Sequence, residues 1–312
     1  MILRFKNIIS LVTVLSFVML FSHRTYSQQD EQLSLYNYNP LYYNPAYAGS
    51  KNALSIISIA RFQWVNFEGA PNTQFVSVHT PVVGQALGMG LNLVNDQVGS
   101  RQRTAAYYNV SSGIRLNEKN DRLAFGLSIG MDVMSYDFSN LAAHDVSDPF
   151  YGQSISTTKA NVGGGIYYYS DRYYVGISSP RLLESKALDN ENVMTALNKR
   201  HFFLSAGKVF DINSVIKFKP TTLIKVTPNA PLTFDINSNF LLYERFWAGA
   251  FYRFHEAVGL NFVYNYKNIA HIGYGFEFPV NKLSSYQSGS HEVLLQIDIQ
   301  SKKNLFTSPR YF

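Results

Sequence analysis

The chain has 312 residues, with 27 basic and 21 acidic side chains, 15% charged and 15% aromatic residues, and no cysteine. That length suits one large barrel or two ordinary domains, and the missing cysteine excludes disulfides, thiol catalysis, thiolate metal centres and a lipid-modified N-terminal cysteine. Residues 1–27 hold Arg4, Lys6 and Arg24 and no acid, so without them 24 basic groups face 21 acidic ones, a net +3, and no basic run interleaved with aromatics supports nucleic-acid binding.

Residues 1–27 read as a secretory signal. Arg4 and Lys6 precede an apolar stretch from Ile8 to Phe21, and Thr25-Tyr26-Ser27 form a small-residue cleavage site. Residues 28–51 follow as a Pro/Tyr-rich lead-in. Its steps Asn39-Pro40 and Asn44-Pro45 fix the proline φ, bias each Asn away from helix and remove backbone donors. The segment therefore cannot be a central strand. It forms a stiff lead-in, either tucked into the barrel or facing the periplasm.

From residue 52 to 312 the chain reads as short alternating segments separated by Gly, Asn, Asp and Pro turns. The strands expected are 52–64, 73–82, 86–97, 102–116, 121–134, 159–170, 172–179, 200–210, 214–226, 231–243, 245–255, 257–267, 269–279 and 290–300. The clearest is Arg122–Asp132: Leu123, Phe125, Leu127, Ile129 and Met131 fall on one face, Ala124, Gly126, Ser128, Gly130 and Asp132 on the other. About ten residues is what a tilted strand needs to cross a bilayer core. Val293, Leu295, Ile297 and Ile299 likewise alternate with Glu292, Leu294, Gln296 and Asp298. The fold class expected is all-β, a transmembrane antiparallel β-barrel of about fourteen strands with a C-terminal tail, in an outer membrane. Its lumen face is expected to be mainly Gly, Ser, Asn and Ala, without a charged ring.

Connections are unequal. Tight ones include Asn117–Asn120, Ser170-Asp171 and Lys267-Asn268. The long ones are 135–158 and 180–199, the second with apolar residues that suit a short helix over the barrel mouth. Asp132, Asp137, Asp145 and Asp148 crowd the first and read as a solvated acidic loop or, less simply, a Ca²⁺ site. Chemistry is otherwise sparse. His255-Glu256 and His291-Glu292 point to opposite strand faces, Gly163-Gly164-Gly165 lacks the following helix of a phosphate cradle and keeps a strand slim, and no Ser–His–acid set stands in a strand-to-helix context. No enzyme, cofactor or metal is expected.

From residue 30 onward the sequence resembles the PorP/SprF family of the type IX secretion system of Bacteroidota. The likeness begins at Tyr38-Asn39-Pro40-Leu41-Tyr42-Tyr43-Asn44-Pro45-Ala46-Tyr47-Ala48-Gly49-Ser50. It continues through Arg61-Phe62-Gln63-Trp64, Leu91-Asn92-Leu93-Val94-Asn95-Asp96 and Tyr243-Glu244-Arg245-Phe246-Trp247, and closes at Ser308-Pro309-Arg310-Tyr311-Phe312. His79 departs from the acid more usual there. The resemblance implies an outer-membrane barrel working with type IX export and gliding components, and with a large secreted adhesin carrying a C-terminal sorting domain. The alternative is a transport channel for a small or hydrophobic solute.

Two residue groups stand out. Asn39, Pro40, Tyr42, Tyr43, Asn44, Pro45 and Tyr47 either orient the first strand and cap the barrel or present amphipathic anchors to a partner. Arg61, Trp64, Arg245 and Trp247 stand at strand ends, where Trp and Arg mark the membrane interface or serve the structure.

Overall fold

The computed structural model describes residues 31–139, 152, 154–187, 196–228 and 230–300. The export signal, Asp145, Asp148 and the closing Ser308–Phe312 lie outside the described residues.

Fourteen strands close into one antiparallel barrel. They are β1 (Ala53–Phe62), β2 (Asn72–Val83), β3 (Leu87–Val98), β4 (Arg101–Arg115), β5 (Arg122–Asp137), β6 (Ser154–Tyr169), β7 (Tyr173–Ser179) and β8 (Phe202–Lys208, extended by Phe210–Asp211). The rest are β9 (Ile216–Val226), β10 (Thr233–Leu242), β11 (Phe246–Arg253), β12 (Ala257–Tyr266), β13 (Ala270–Pro279) and β14 (Ser290–Gln300). Each strand pairs with its neighbours in sequence, and β1 pairs β14 from Ala53↔Gln300 to Phe62↔His291, which seals the barrel. Closure leaves no open edge where a strand pairs along its full length, as hydrocarbon requires. Among the described residues no helix is long and apolar enough to cross a membrane.

The period-two pattern sorts the wall into two faces. On β5, Phe125, Leu127, Ile129 and Met131 are exposed, Leu127 at 72%, while Ala124, Ser128 and Asp132 are buried. β12 repeats this with Val258, Leu260, Phe262 and Tyr264 outward. A soluble sandwich would bury the large side chains; here they form a continuous outer apolar belt. Tight turns sit at the end where β1 begins. Tyr243-Glu244 and Lys267-Asn268 both have positive φ at two successive residues, within three-residue connections closed by Leu242↔Phe246 and Tyr266↔Ala270. The strand ends that lead into the longer connections, among them Asp137 and Ser179, lie at the opposite end. These are called the turn end and the loop end below.

Two expectations change. Strand β6 starts at Ser154 and not at residue 159, because it pairs β5 residue for residue up to Asp137↔Ser154. The 180–199 connection carries two three-residue strands, Ser185–Ala187 and Ala196–Asn198, paired with each other, where a short helix was expected. Asp189-Asn190-Glu191-Asn192, turn-favouring side chains in the sequence between them, lie outside the described residues, as do Val193 and Met194.

Candidate functional site: a plugged lumen

Residues 31–52 run through the barrel from the loop end to the turn end. Glu31 to Leu35 contact Arg103, Glu277 and Glu292 near the loop end, and Ser50 is held by Gln85 of the β2–β3 turn. Between them lie three single helical turns, Tyr36–Tyr38, Pro40–Tyr43 and Pro45–Tyr47. The prolines explain this shape. Each opens a turn at the position where its missing N–H has no partner to lose, and the preceding Asn39 (φ −129°) and Asn44 (φ −134°) stay non-helical. Asn44 Oδ1 caps the third turn by accepting from Ala46 N at 2.9 Å.

The wall is hollowed to receive this segment. A Cβ on Gly126 would stand 2.1 Å from Ala46 N and 2.4 Å from Pro45 C; on Gly88 it would stand 2.1 Å from Ala48 O. No other residue fits so close a backbone approach. Gly165 does the same for Asn44, so the glycine run expected to keep a strand slim does so against the lead-in.

Near the loop end a charge cluster pins the segment. Arg61 is 1% exposed; its guanidinium pairs with Glu292 and lies 3.0 Å from Glu277 Oε1. Arg253 meets Glu277 at 2.9 Å and Asp235 at 3.1 Å. The lead-in completes the set: Ser34 N and Leu35 N donate to Glu292 at 2.6 and 2.8 Å, and Ser34 Oγ donates to Glu277 at 2.7 Å. A second cluster joins Arg103 to Asp132 and to Glu31 of the segment (2.7 Å), with the Tyr107 hydroxyl donating to Asp132. At the turn end Lys51 lies 3.5 Å from Asp298. Burial pulls the Lys51 ammonium down, but Asp298 outweighs it and holds the group above the usual lysine value.

Apolar contacts fill the rest. Leu33, Leu35, Tyr36 and Tyr43 pack with Ile57, Ile59, Phe75, Phe203 and Leu294, while Leu41, Ala46 and Tyr47 pack with Ala124, Tyr167 and Tyr174. Two lumen cavities beside the segment hold about 20 Å³ each, room for about one water apiece.

None of the seven lead-in residues is exposed. Asn39, Tyr43, Asn44, Pro45 and Tyr47 are buried; Pro40 and Tyr42 are half-buried, with the Tyr42 hydroxyl donating to Glu31 at 3.0 Å. Tyr42 rests edge-on against Phe75, Tyr43 against Phe203 and Tyr47 against both His79 and Tyr167. The surface these anchors meet is the barrel's own wall. His79 Nδ1 accepts from Gly49 N at 3.3 Å, so His79 is a contact of the lead-in.

Of the four strand-end residues, two take the structural alternative and stand inside the lumen, not at the interface. Arg61 shares strand parity with buried Ile57 and Ile59 and points inward. Trp247 is 6% exposed, and Lys219 sits 4.6 Å from its ring inside the lumen. Trp64 lies half-buried at the loop end and Arg245 exposed at the turn end. The lumen expectation is also corrected: Arg61, Arg103, Asp132, Asp235, Arg253, Glu277 and Glu292 make it strongly charged. Asp132 stands on this face after Gly126, Ser128 and Gly130 at period two, as the alternation of Arg122–Asp132 placed it, and not in the acidic loop to which it was also assigned. Among the described residues no group of His, Asp and Glu has metal-site geometry.

A closed fourteen-strand barrel with an apolar outer belt and a folded segment through its lumen is a plugged membrane β-barrel. Residues 25–297 match the family model for the type IX secretion system membrane protein PorP/SprF, and the chain belongs to that family. No curated protein matches. Solved structures with a similar course include a Pseudomonas aeruginosa FadL homologue (10% identity, 79% of this chain and 88% of that one, TM-score 0.45). A TodX deltaS2S3 mutant monoaromatic hydrocarbon channel (11%, 84% and 94%, 0.45) and a KdgM porin (8%, 78% and 98%, 0.36) are also similar.

Proposed function

We propose that this chain is a non-enzymatic outer-membrane component of type IX secretion that aids export or surface attachment of a large adhesin with a C-terminal sorting domain. On this reading residues 1–27 are a cleaved export signal, 28–51 the plug and 52–312 the barrel, with the turn end facing the periplasm. Family membership supplies the machinery. The observation that carries the reading against a solute channel is the lead-in, which runs through the lumen from the loop end to the turn end and is tied to the wall by charged hydrogen bonds near the loop end. An open pore would instead show a continuous water path lined by the inward strand faces.

Deletion of the gene tests this directly. The adhesin should disappear from the cell exterior while permeability to small solutes stays as in the parent strain. The purified barrel in planar bilayers should show no steady conductance. An adhesin that remains in place, or a conducting barrel whose loss lowers solute uptake, overturns the proposal.

A further inference from the structure

The Gly163-Gly164-Gly165 run has one member that nothing inside the barrel requires. A Cβ on Gly163 would stand 2.2 Å from Pro180 O, and one on Gly165 would stand 2.1 Å from Asn44 Oδ1. On Gly164 a Cβ would come no closer than 3.7 Å to any atom beyond its chain neighbours. Gly164 shares outward parity with exposed Val162 and Ile166, so the side chain it lacks is missing from the lipid face. In the register it stands between Leu127 and Ser179, whereas nearer the turn end the same three strands carry Phe125, Ile166 and Ile177. Gly164 and Ser179 thus floor a depression of about 640 Å³ in the outer wall, bordered by Leu127, Ile177, Leu182 and Phe202.

The same part of the wall carries a polar group at the turn end. The Tyr168 and Tyr173 hydroxyls lie 3.0 Å apart and donate to Asp121 Oδ2 at 3.2 and 3.1 Å, and Asn117 Nδ2 donates to that oxygen at 2.7 Å. Among the described residues Asp121 Oδ1 accepts no bond and no cation pairs with the carboxylate. Tyrosines at strand ends mark the level of the lipid headgroups. From Tyr168 to Gly164 is four residues, about 13 Å along the strand and about 10 Å of depth at the usual tilt of about 40°. Half of the hydrocarbon core is about 15 Å, so one lipid spans both features.

We propose that this wall binds one phospholipid with a primary ammonium headgroup, phosphatidylethanolamine. The ammonium donates to Asp121 Oδ1 beside the two tyrosines, and an acyl chain lies along β6 and β7 with its end seated over Gly164. The depression lies in the hydrocarbon belt, which selects the occupant. A loop of this chain laid there would carry backbone N–H and C=O groups into lipid without partners; an acyl chain has none to satisfy. Bulk tails are as apolar as the depression, so the headgroup decides which lipid is held. A primary ammonium brings three N–H donors to the carboxylate, a choline brings none, and an anionic glycerol lipid sets like charges together. The proposal needs only a barrel in a bilayer and stands apart from the export reading; with the turn end facing the periplasm, the lipid belongs to the periplasmic leaflet.

The test uses the whole barrel with its lead-in, stripped of lipid in detergent. It is titrated with phosphatidylethanolamine, phosphatidylcholine or phosphatidylglycerol of identical acyl chains, and bound lipid is counted by native mass spectrometry. One phosphatidylethanolamine should bind at about a tenth of the concentration that phosphatidylcholine needs, the equivalent of one charge-assisted hydrogen bond, and phosphatidylglycerol should bind most weakly. Asp121→Asn should bring the first two lipids to parity. Gly164→Leu adds an outward apolar side chain in open space and should weaken both together without changing their ratio. Val258→Leu, on the lipid face of β12, should change neither. Heat-sensitive gel mobility confirms that each variant is folded. Equal binding of the three lipids by the parent, or a preference that survives Asp121→Asn, overturns the proposal. So does unchanged binding by Gly164→Leu, or a lipid-free dimer in place of the lipid-bound monomer.

Discussion

Replacing Gly126 by alanine should unseat the plug without unfolding the barrel. The added Cβ would lie 2.1 Å from Ala46 N and 2.4 Å from both Ala46 Cα and Pro45 C, against ordinary contacts of about 3.5–4 Å. All three atoms are backbone, and no rotamer change relieves them. The wall cannot withdraw either, since Gly126 is paired on both sides, with Ser111 and with Gly165. The lead-in must therefore move, and it loses what the fit secures: Asn44 Nδ2 donating to Ile166 O (3.0 Å), Ser178 Oγ to Tyr43 O (2.8 Å) and Ser111 Oγ to Ala48 O. At about 1 kcal/mol for each bond and about 1–3 kcal/mol for overpacking, the cost is about 4–6 kcal/mol, borne by docking of the plug. A Ser50→Cys reporter, 3% exposed in the parent and the sole thiol in the chain, reads it. Its labelling by a hydrophilic maleimide should rise about a thousandfold or more, while strand content by circular dichroism stays constant. Gly164→Ala is the control, since its Cβ comes no closer than 3.7 Å to any neighbour. Equal labelling in Gly126→Ala and Gly164→Ala refutes the close-fit argument.

Arg61→Ala removes a buried cation and leaves Glu292 and Glu277 facing each other. A loss of about 3–5 kcal/mol is expected, read as a lower midpoint for the heat-induced gel shift, with Arg61→Lys recovering part of it. Leu127→Arg puts a charge on the lipid face and should cost about 2–4 kcal/mol in folding from urea into vesicles, whereas Ser128→Ala, on the lumen side, should stay close to wild type. Glu31→Gln weakens the bidentate contact to Arg103 but leaves Asp132 as its partner. It should raise Ser50→Cys labelling far less than Gly126→Ala does, and an equal rise would show that the outer anchor, not the glycine seat, holds the plug.

The barrel was legible in the sequence because membrane depth imposes one rule on every strand. Alternation at Arg122–Asp132 gave both faces, and positive-φ turns such as Lys267-Asn268 fell where two-residue connections were expected. Strand β6 was cut short at residue 159 because Ser154-Ile155-Ser156-Thr157-Thr158 carries no strong apolar alternation; pairing with β5 sets its length. The plug was half legible. Asn39-Pro40 and Asn44-Pro45 excluded a strand, but nothing local distinguishes a segment inside a lumen from one outside it. The charge cluster was missed although its parity was visible. Glu292 lies on the small-residue face opposite Val293, and Arg61, Asp132, Asp235, Arg253 and Glu277 take the corresponding lumen face of their strands. Arg61, Asp132 and Glu292 were read singly, as an interface residue, a loop acid and part of an adjacent pair, and Asp235, Arg253 and Glu277 were not singled out. A charge on an inward position of a barrel wall needs a partner on a neighbouring strand, and where the barrel closes sequence order hides it: Arg61 and Glu292 face each other across the β1–β14 seam yet are 231 residues apart.

An apolar lumen would hold a lead-in at least as firmly as buried ion pairs do, so the charges need another account. The wall alone brings three carboxylates, Asp235, Glu277 and Glu292, to two guanidiniums, Arg61 and Arg253, with Glu256 a further 3.9 Å from Arg253. That set is short of donors. Ser34 N, Leu35 N and Ser34 Oγ supply three, all from adjacent residues, and a lead-in shifted by one residue would present them to the wrong oxygens. The cluster therefore fixes register more than it adds stability. It also makes the seat costly to vacate, because withdrawal of residues 33–35 leaves Glu292 with a single cation. A barrel that opened freely to solutes would not be built with a carboxylate that only its plug completes.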